Sequence, residues 1–232
     1  MATLGSRAGR PVVWFSRMPT WNELYASPAL MPIPEEPEPF VVRALEALPA
    51  PRSTTVLDVG CGGGRHLVWL ARRGFAAHGC DSAAAGLAHT RSWLRREGHE
   101  VRVALADMRA QPFGADRFDA AIAHHVLYHG RRRDVRAAIA EVHRVLRDEG
   151  LFVGTFLSTR AWKHGEGERV ERMTYVQDRG PEAGVPHHYC DEAGARDLLS
   201  GFDVDSLALD EFSDEGGDRH SHWQFVAIKR RA

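Results

Sequence analysis

No apolar run in these 232 residues is long enough to span a bilayer. Residues Met1 to Phe15 carry Arg7 and Arg10 but lack an apolar stretch and a cleavage site, so a secretion leader is not expected. Cysteine is scarce. Cys61, Cys80 and Cys190 are odd in number and show no C-x-x-C spacing, which excludes a disulfide framework and points to reduced thiols in a cytoplasmic protein. Charge of one sign is also missing: 30 basic residues stand against 31 acidic ones, for a net charge of -1. That balance argues against the marked basic excess of a nucleic-acid binder, and no membrane partner is expected. Arg95-Arg96 and Arg131-Arg132-Arg133 are local clusters expected at solvated helix ends. No solenoid-length repeat is present.

What is there is an apolar fraction of 44%, enough for a core, in a length that suits one α/β domain with additions. Trp14, Phe15, Trp21, Leu24 and Tyr25 predict an aromatic helical stub. Prolines at 28, 32, 34, 37 and 39 then exclude a continuous helix and predict an extended connector. Residues 1–39 are thus read as an aromatic, proline-rich lid and connector, and 40–232 as the main domain.

From Phe40 the pattern alternates. Helices are expected over Phe40 to Leu48, Arg65 to Arg73 (stopped at Gly74), Ser82 to Glu97 and Asp134 to Leu146. Strands are expected over Thr54 to Val59, Ala76 to Cys80, Val101 to Leu105, Phe118 to His125 and Gly150 to Leu157. Ser158 to His188 is polar and punctuated by Gly and Pro, which predicts a lid-like insertion at about 158–189. Asp191 is placed to N-cap a helix through Leu199. Val204 to Leu209 and Trp223 to Lys229 close the chain as a hairpin. The fold class is therefore α/β: a doubly wound, mostly parallel sheet of seven strands with one antiparallel strand.

The stretch Val56-Leu57-Asp58-Val59-Gly60-Cys61-Gly62-Gly63-Gly64-Arg65-His66 carries the most chemistry. An apolar strand ends near an acid, turns through glycines and enters a helix, so backbone can approach a ligand closely. A dinucleotide fingerprint from Gly60 needs glycine at position 65, where Arg65 stands, and no Tyr-x-x-x-Lys-like pair follows, so a nicotinamide oxidoreductase ranks low. The pattern resembles the first motif of class I S-adenosylmethionine-dependent methyltransferases. Asp119 to His125 and Val145 to Val153 resemble further segments of that family. The Cys-Gly-x-Gly-Arg run with Leu67-Val68-Trp69-Leu70 looks like its small-molecule branch, with tellurite-resistance-type and type 11-like members.

This resemblance implies S-adenosyl-L-methionine as cofactor. Asp58, Gly60, Cys61, Gly62, Gly64 and Arg65 would flank its methionine end, with His124 nearby. Asp81, 21 residues past Gly60, would accept from the ribose diol with Ser82 beside it. Otherwise Asp81 or Ser82 would simply N-cap the next helix. Asp107 and Met108 would meet the adenine.

The Asn- or Asp-Pro-Pro-aromatic motif of nucleobase amino methylation is missing. Its place is taken by Ala123-His124-His125-Val126-Leu127-Tyr128-His129. His125 is the first candidate to face substrate, with Tyr128 and His129 behind it, either as a base near neutral pH or as pocket walls without proton transfer. Pro186-His187-His188-Tyr189 is the second candidate wall. Trp14, Trp21 and Tyr25 either close a lid or staple the leader to the core. His187-His188 and His220-x-His222 invite a metal, but adjacent histidines on an extended segment point apart, and His220 and His222 are expected outward; no metal is expected. The expected activity is methylation of a small molecule at O, N, S or a metalloid, by a monomer or a homodimer. The alternatives are a tRNA- or protein-modifying methyltransferase and a cofactor-binding module without turnover.

Overall fold

The computed structural model describes residues 20–27, 33–48 and 53–231. Trp14 and the rest of the leader lie outside them. The first described element is α1 (Trp21–Ala26), closed by a capping box in which Thr20 and Glu23 satisfy each other's backbone N–H groups. Next comes α2 (Pro39–Glu46), with proline at a first-turn position where its missing N–H costs nothing.

The alternation then runs as expected: β1 (Thr55–Val59), α3 (Arg65–Arg73), β2 (Ala76–Asp81), α4 (Ala84–Arg96), β3 (Arg102–Leu105), β4 (Phe118–Ala123), α5 (Arg132–Val145) and β5 (Leu146–Ser158). Gly74 ends α3 in the left-handed region at φ 83°, where a side chain would be strained. Several boundaries shift by a few residues from the sequence reading, and two of the differences bear on the site. β4 stops at Ala123, so His124 and His125 lie beyond the strand, and β5 begins at Leu146 directly from α5 rather than after the Gly150 turn.

The 158–189 segment is not a plain loop. It folds into β6 (Glu168–Glu171), β7 (Thr174–Val176) and β8 (Pro186–Cys190), an antiparallel set. Then follow α6 (Glu192–Leu198), N-capped by Asp191 through Gly194 N–H as expected, β9 (Phe202–Ser213) and β10 (Arg219–Lys229).

Seven strands form the order β3-β2-β1-β4-β5-β10-β9, and β10 runs antiparallel to both neighbours. Within those seven the single antiparallel strand is as expected; β6 to β8 add further antiparallel pairs. Side chains alternate across the sheet. Leu57, Val59, Ala121, Phe152 and Phe225 fill the core on one face, and Val56, Ala120, Ile122 and Val153 that on the other.

One pairing sets the site. Leu157 of β5 pairs with His222 of β10 along one edge and with Tyr189 of β8 along the other. That second edge belongs to β4 lower down, up to Ala123 against Gly154. β8 therefore takes over where β4 ends and hangs above the carboxyl ends of the parallel strands.

Candidate active site

The turn after β1 cannot carry side chains. Gly60 and Gly62 have φ of 68° and 50°, a region that favours glycine, and an added Cβ would stand 2.4 Å from Val126 and 2.1 Å from the Tyr25 hydroxyl. Beside this turn lies a cleft of about 340 Å³, lined by Gly60, Asp81, Ser82, Asp107, Met108, His125, His129 and, from α1, Trp21 and Tyr25. It continues into a second recess bordered by Cys61, Gly64, Arg65, His124, Tyr128 and Glu182. The open end of a parallel sheet, next to the order reversal at β1 and β4, is where such folds bind ligands.

Asp81 ends β2. Its Oδ2 accepts from Gly62 N–H at 2.8 Å and its Oδ1 from Ala83 N–H at 2.7 Å. The N-cap of α4 is Ala83, neither Asp81 nor Ser82, and it has no side-chain cap. Burial raises the Asp81 carboxyl, while the two backbone donors pull it back down. Each oxygen keeps a lone pair for a further donor. Asp58 lies beneath the turn rather than on the cleft wall. Its Oδ2 is buried without a hydrogen-bond partner, 3.7 Å from His66 Nδ1.

Asp107 and Met108 line the cleft. The Asp107 carboxylate is held by Arg109 at 2.6 Å, which keeps it below the ordinary range, and Arg109 reaches on to Asp134 at 2.8 Å. Arg65 reaches Glu38 at 2.9 Å and His124 Nδ1 at 3.0 Å. A guanidinium only donates, so Nδ1 of His124 accepts. Cys61 and Cys80 are buried, and burial drives both thiols up; packing, not reactivity, explains them.

His125 is strained. Its φ of 53° puts a non-glycine residue in the left-handed region, at a cost on the order of 1–3 kcal/mol. Thr155 Oγ1 accepts its N–H at 2.8 Å, and its ring stacks between His124 at 3.9 Å and His222 at 4.3 Å. Burial between neighbouring imidazoles pushes His125 well below the usual histidine range, so the ring is neutral near pH 7 although it faces the cleft. Tyr128 is buried against His129 at 4.5 Å, its hydroxyl driven up by burial. His129 meets Trp21 in a tilted contact, ring centroids 4.6 Å apart.

His222 corrects the sequence reading: it turns into the site, while His220 stays outside against Phe212 and Asp214. His187 and His188 do point apart, toward Glu182 and Thr174. Glu182 and Thr155 escaped the sequence reading. No local pattern marks a glutamate in a Gly/Pro-rich loop or a threonine inside an apolar strand.

Residues 56–150 match a family model described as a methyltransferase domain. Over 122 residues, 51% of this chain, the sequence is 36% identical to methyltransferase GfsG of Streptomyces halstedii, 43% of which is covered. The chain spans about half of the length of the curated relatives it matches, 36% to 52%. Among solved structures, a SAM-dependent methyltransferase of Methanosarcina mazei aligns with a TM-score of 0.71 at 19% identity, covering 85% of this chain and 100% of the other. A 1,6-didemethyltoxoflavin-N1-methyltransferase of Burkholderia thailandensis, solved with 1,6-didemethyltoxoflavin and S-adenosylhomocysteine, aligns with a TM-score of 0.62 at 19% identity, covering 84% and 78%. The structural likenesses show the fold. What the comparisons give this chain is a methyltransferase domain match over residues 56–150 and the fold of SAM-dependent methyltransferases.

Proposed function

We propose that this protein transfers a methyl group from S-adenosyl-L-methionine to a small-molecule nucleophile. The carrying observation is one continuous cleft that joins the glycine turn and Asp81 to a shelf of His125, Tyr128 and His129. The residues fit the cofactor. Asp81 has lone pairs free for a ribose diol, Met108 and Asp107 offer an adenine wall, and the glycine turn admits a close approach of ligand to backbone. Arg65 and His124, joined at 3.0 Å, border the recess where the methionine end would lie.

When bound, the cofactor supplies an electrophilic methyl group on a sulfonium. The chain's part is to orient the acceptor and exclude water, which supplies roughly 7–11 kcal/mol in well-aligned reactions. Trp21 and Tyr25 cover the cleft from α1. The neutral ring of His125, locked by Thr155 and its stacked neighbours, is a rigid wall and a hydrogen-bond partner for the substrate. A recess closed by β8 suits a small acceptor, and the toxoflavin enzyme, solved with a small molecule bound, supports that class.

Calorimetric titration with S-adenosylmethionine, S-adenosylhomocysteine and NAD in parallel tests the reading. Micromolar binding of the two adenosyl ligands and none of NAD is expected, followed by methyl uptake in a screen of small hydroxyl, amine and thiol acceptors. Failure of both adenosyl ligands to bind sinks it.

A further inference from the structure

Three side chains from separate parts of the chain meet on the substrate side of the cleft: His129 after β4, Glu182 between β7 and β8, and His187 in β8. Their ligating atoms lie within 4.8 Å of one another. His187 Nε2 stands 3.1 Å from Glu182 Oε2, and His129 Nε2 stands 3.6 Å from Glu182 Oε1. The backbone holds them there, for His129 and His187 form an antiparallel bridge flanked by Gly130 N–H to Pro186 O and His188 N–H to Tyr128 O. The two imidazoles are sealed at 11% and 3% exposure, while Glu182 keeps 30%.

The hydrogen bonds dictate what must sit between them. The Val185 carbonyl only accepts, so His187 Nδ1, 2.9 Å away, carries its proton and Nε2 faces the carboxylate. His129 Nε2 is buried without a hydrogen-bond partner. Two ring nitrogens and a carboxylate converging on one point call for positive charge among them. Arms of about 2.0–2.1 Å to a tetrahedral zinc give ligand-to-ligand edges of about 3.3 Å, between the two separations seen. A second-shell carbonyl on the far nitrogen of a histidine is the usual way to aim such a ligand.

We propose that His129, Glu182 and His187 bind a divalent transition metal, zinc fitting the donor set best, with a fourth position open to the cleft. This departs from the expectation of no metal. The histidine pairs considered in the sequence each point two ways, and the set takes His187 alone from them and adds Glu182 from a loop. A divalent ion with one carboxylate keeps one positive charge, so the open position selects an anionic ligand. Resting on the methyl-transfer reading, the substrate class is a small molecule with an ionisable hydroxyl, a phenol or an enol. On binding, its O–H bond breaks, the electron pair stays on oxygen, and the proton leaves to water.

The test is cobalt(II) titration of the untagged full chain, with S-adenosylhomocysteine calorimetry alongside. A single equivalent of cobalt with the visible absorption of a four-coordinate nitrogen–oxygen site is expected, without thiolate bands, and acetohydroxamate is expected to shift that spectrum. Glu182→Gln and His187→Gln should each weaken binding roughly tenfold or more, and His220→Gln should leave it unchanged. No saturable uptake by the wild-type chain, or uptake undiminished in both variants, overturns the metal site. Thiolate bands in the wild-type spectrum overturn it too, even if a variant fails to fold. No response to acetohydroxamate overturns the substrate class. Cobalt binding without S-adenosylhomocysteine binding leaves the metal site standing and removes the methyl-transfer reading.

Discussion

Gly60, Gly62, Asp81 and Asp107 reach the site from turns that follow β1, β2 and β3, three adjacent parallel strands. Trp21, His129, Glu182, His187 and His222 reach it instead from five segments spread along the described chain. The first half is held by bonds within one turn, such as Asp81 to Ala83, and between adjacent strand ends, such as Asp81 to Gly62. The second is held by strand pairing between distant residues, Leu157 with Tyr189 and His129 with His187. Charge separates them as well. The cofactor half carries carboxylates tied to backbone N–H groups and arginines. The proposed substrate half carries closely packed histidines around one glutamate. The proposed cofactor turn is met by geometry that adjacent strand ends can encode, whereas the proposed acceptor wall is assembled by the tertiary fold.

The largest effect that would break this comparison lies in β1. Leu57 is fully buried, and Leu57→Ala should destabilise the protein by about 2–5 kcal/mol in denaturant unfolding, because its cavity cannot collapse between sheet and helices. A loss below about 1 kcal/mol would show that β1 is not the scaffold of the cofactor half. Next comes Asp81→Ala, which should weaken S-adenosylhomocysteine binding by about 1.5–3 kcal/mol, roughly ten- to hundredfold, in calorimetry. Unchanged affinity would remove Asp81 from the site.

The smallest effect sharpens the contrast in charge. Burial, with His220 nearby, holds His222 down at about 4, against about 6.5 in an unfolded chain. Its folded pKa is depressed, so the unfolded state binds the extra proton first. The stability His222 contributes is present above pH 6.5 and is lost as pH falls toward 4. The melting temperature of the wild-type chain should therefore drop more steeply over that window than that of His222→Gln. Equal slopes would assign the linkage to other groups.

Several elements were legible in the chain. The bounds Arg65–Arg73 of α3 follow from an apolar stripe between two glycines, and Asp191 caps α6 because a carboxylate before a helical run has a free N–H to accept from. The parallel strands and one antiparallel strand in the closing hairpin follow from alternation and right-handed crossovers. Elsewhere local reading failed for physical reasons. Ser158 to His188 reads as loop because its strands are short and polar, and they exist only by adding to the edge that β4 vacates. His222 reads as outward because the alternation of β10 does not reveal that His125 will stack on it. His125 itself leaves β4 through a left-handed turn that no non-glycine residue announces.

The amino-acid sequence by itself determined the α/β frame and the glycine turn after β1, since period, glycines and strand-end acids act over a few residues through sterics and backbone hydrogen bonds. Only the tertiary structure decided the substrate wall. Bringing Trp21, His129, Glu182, His187 and His222 together depends on β8 pairing with β5 and β10 closing beside it, contacts between residues far apart in the chain that no local propensity encodes.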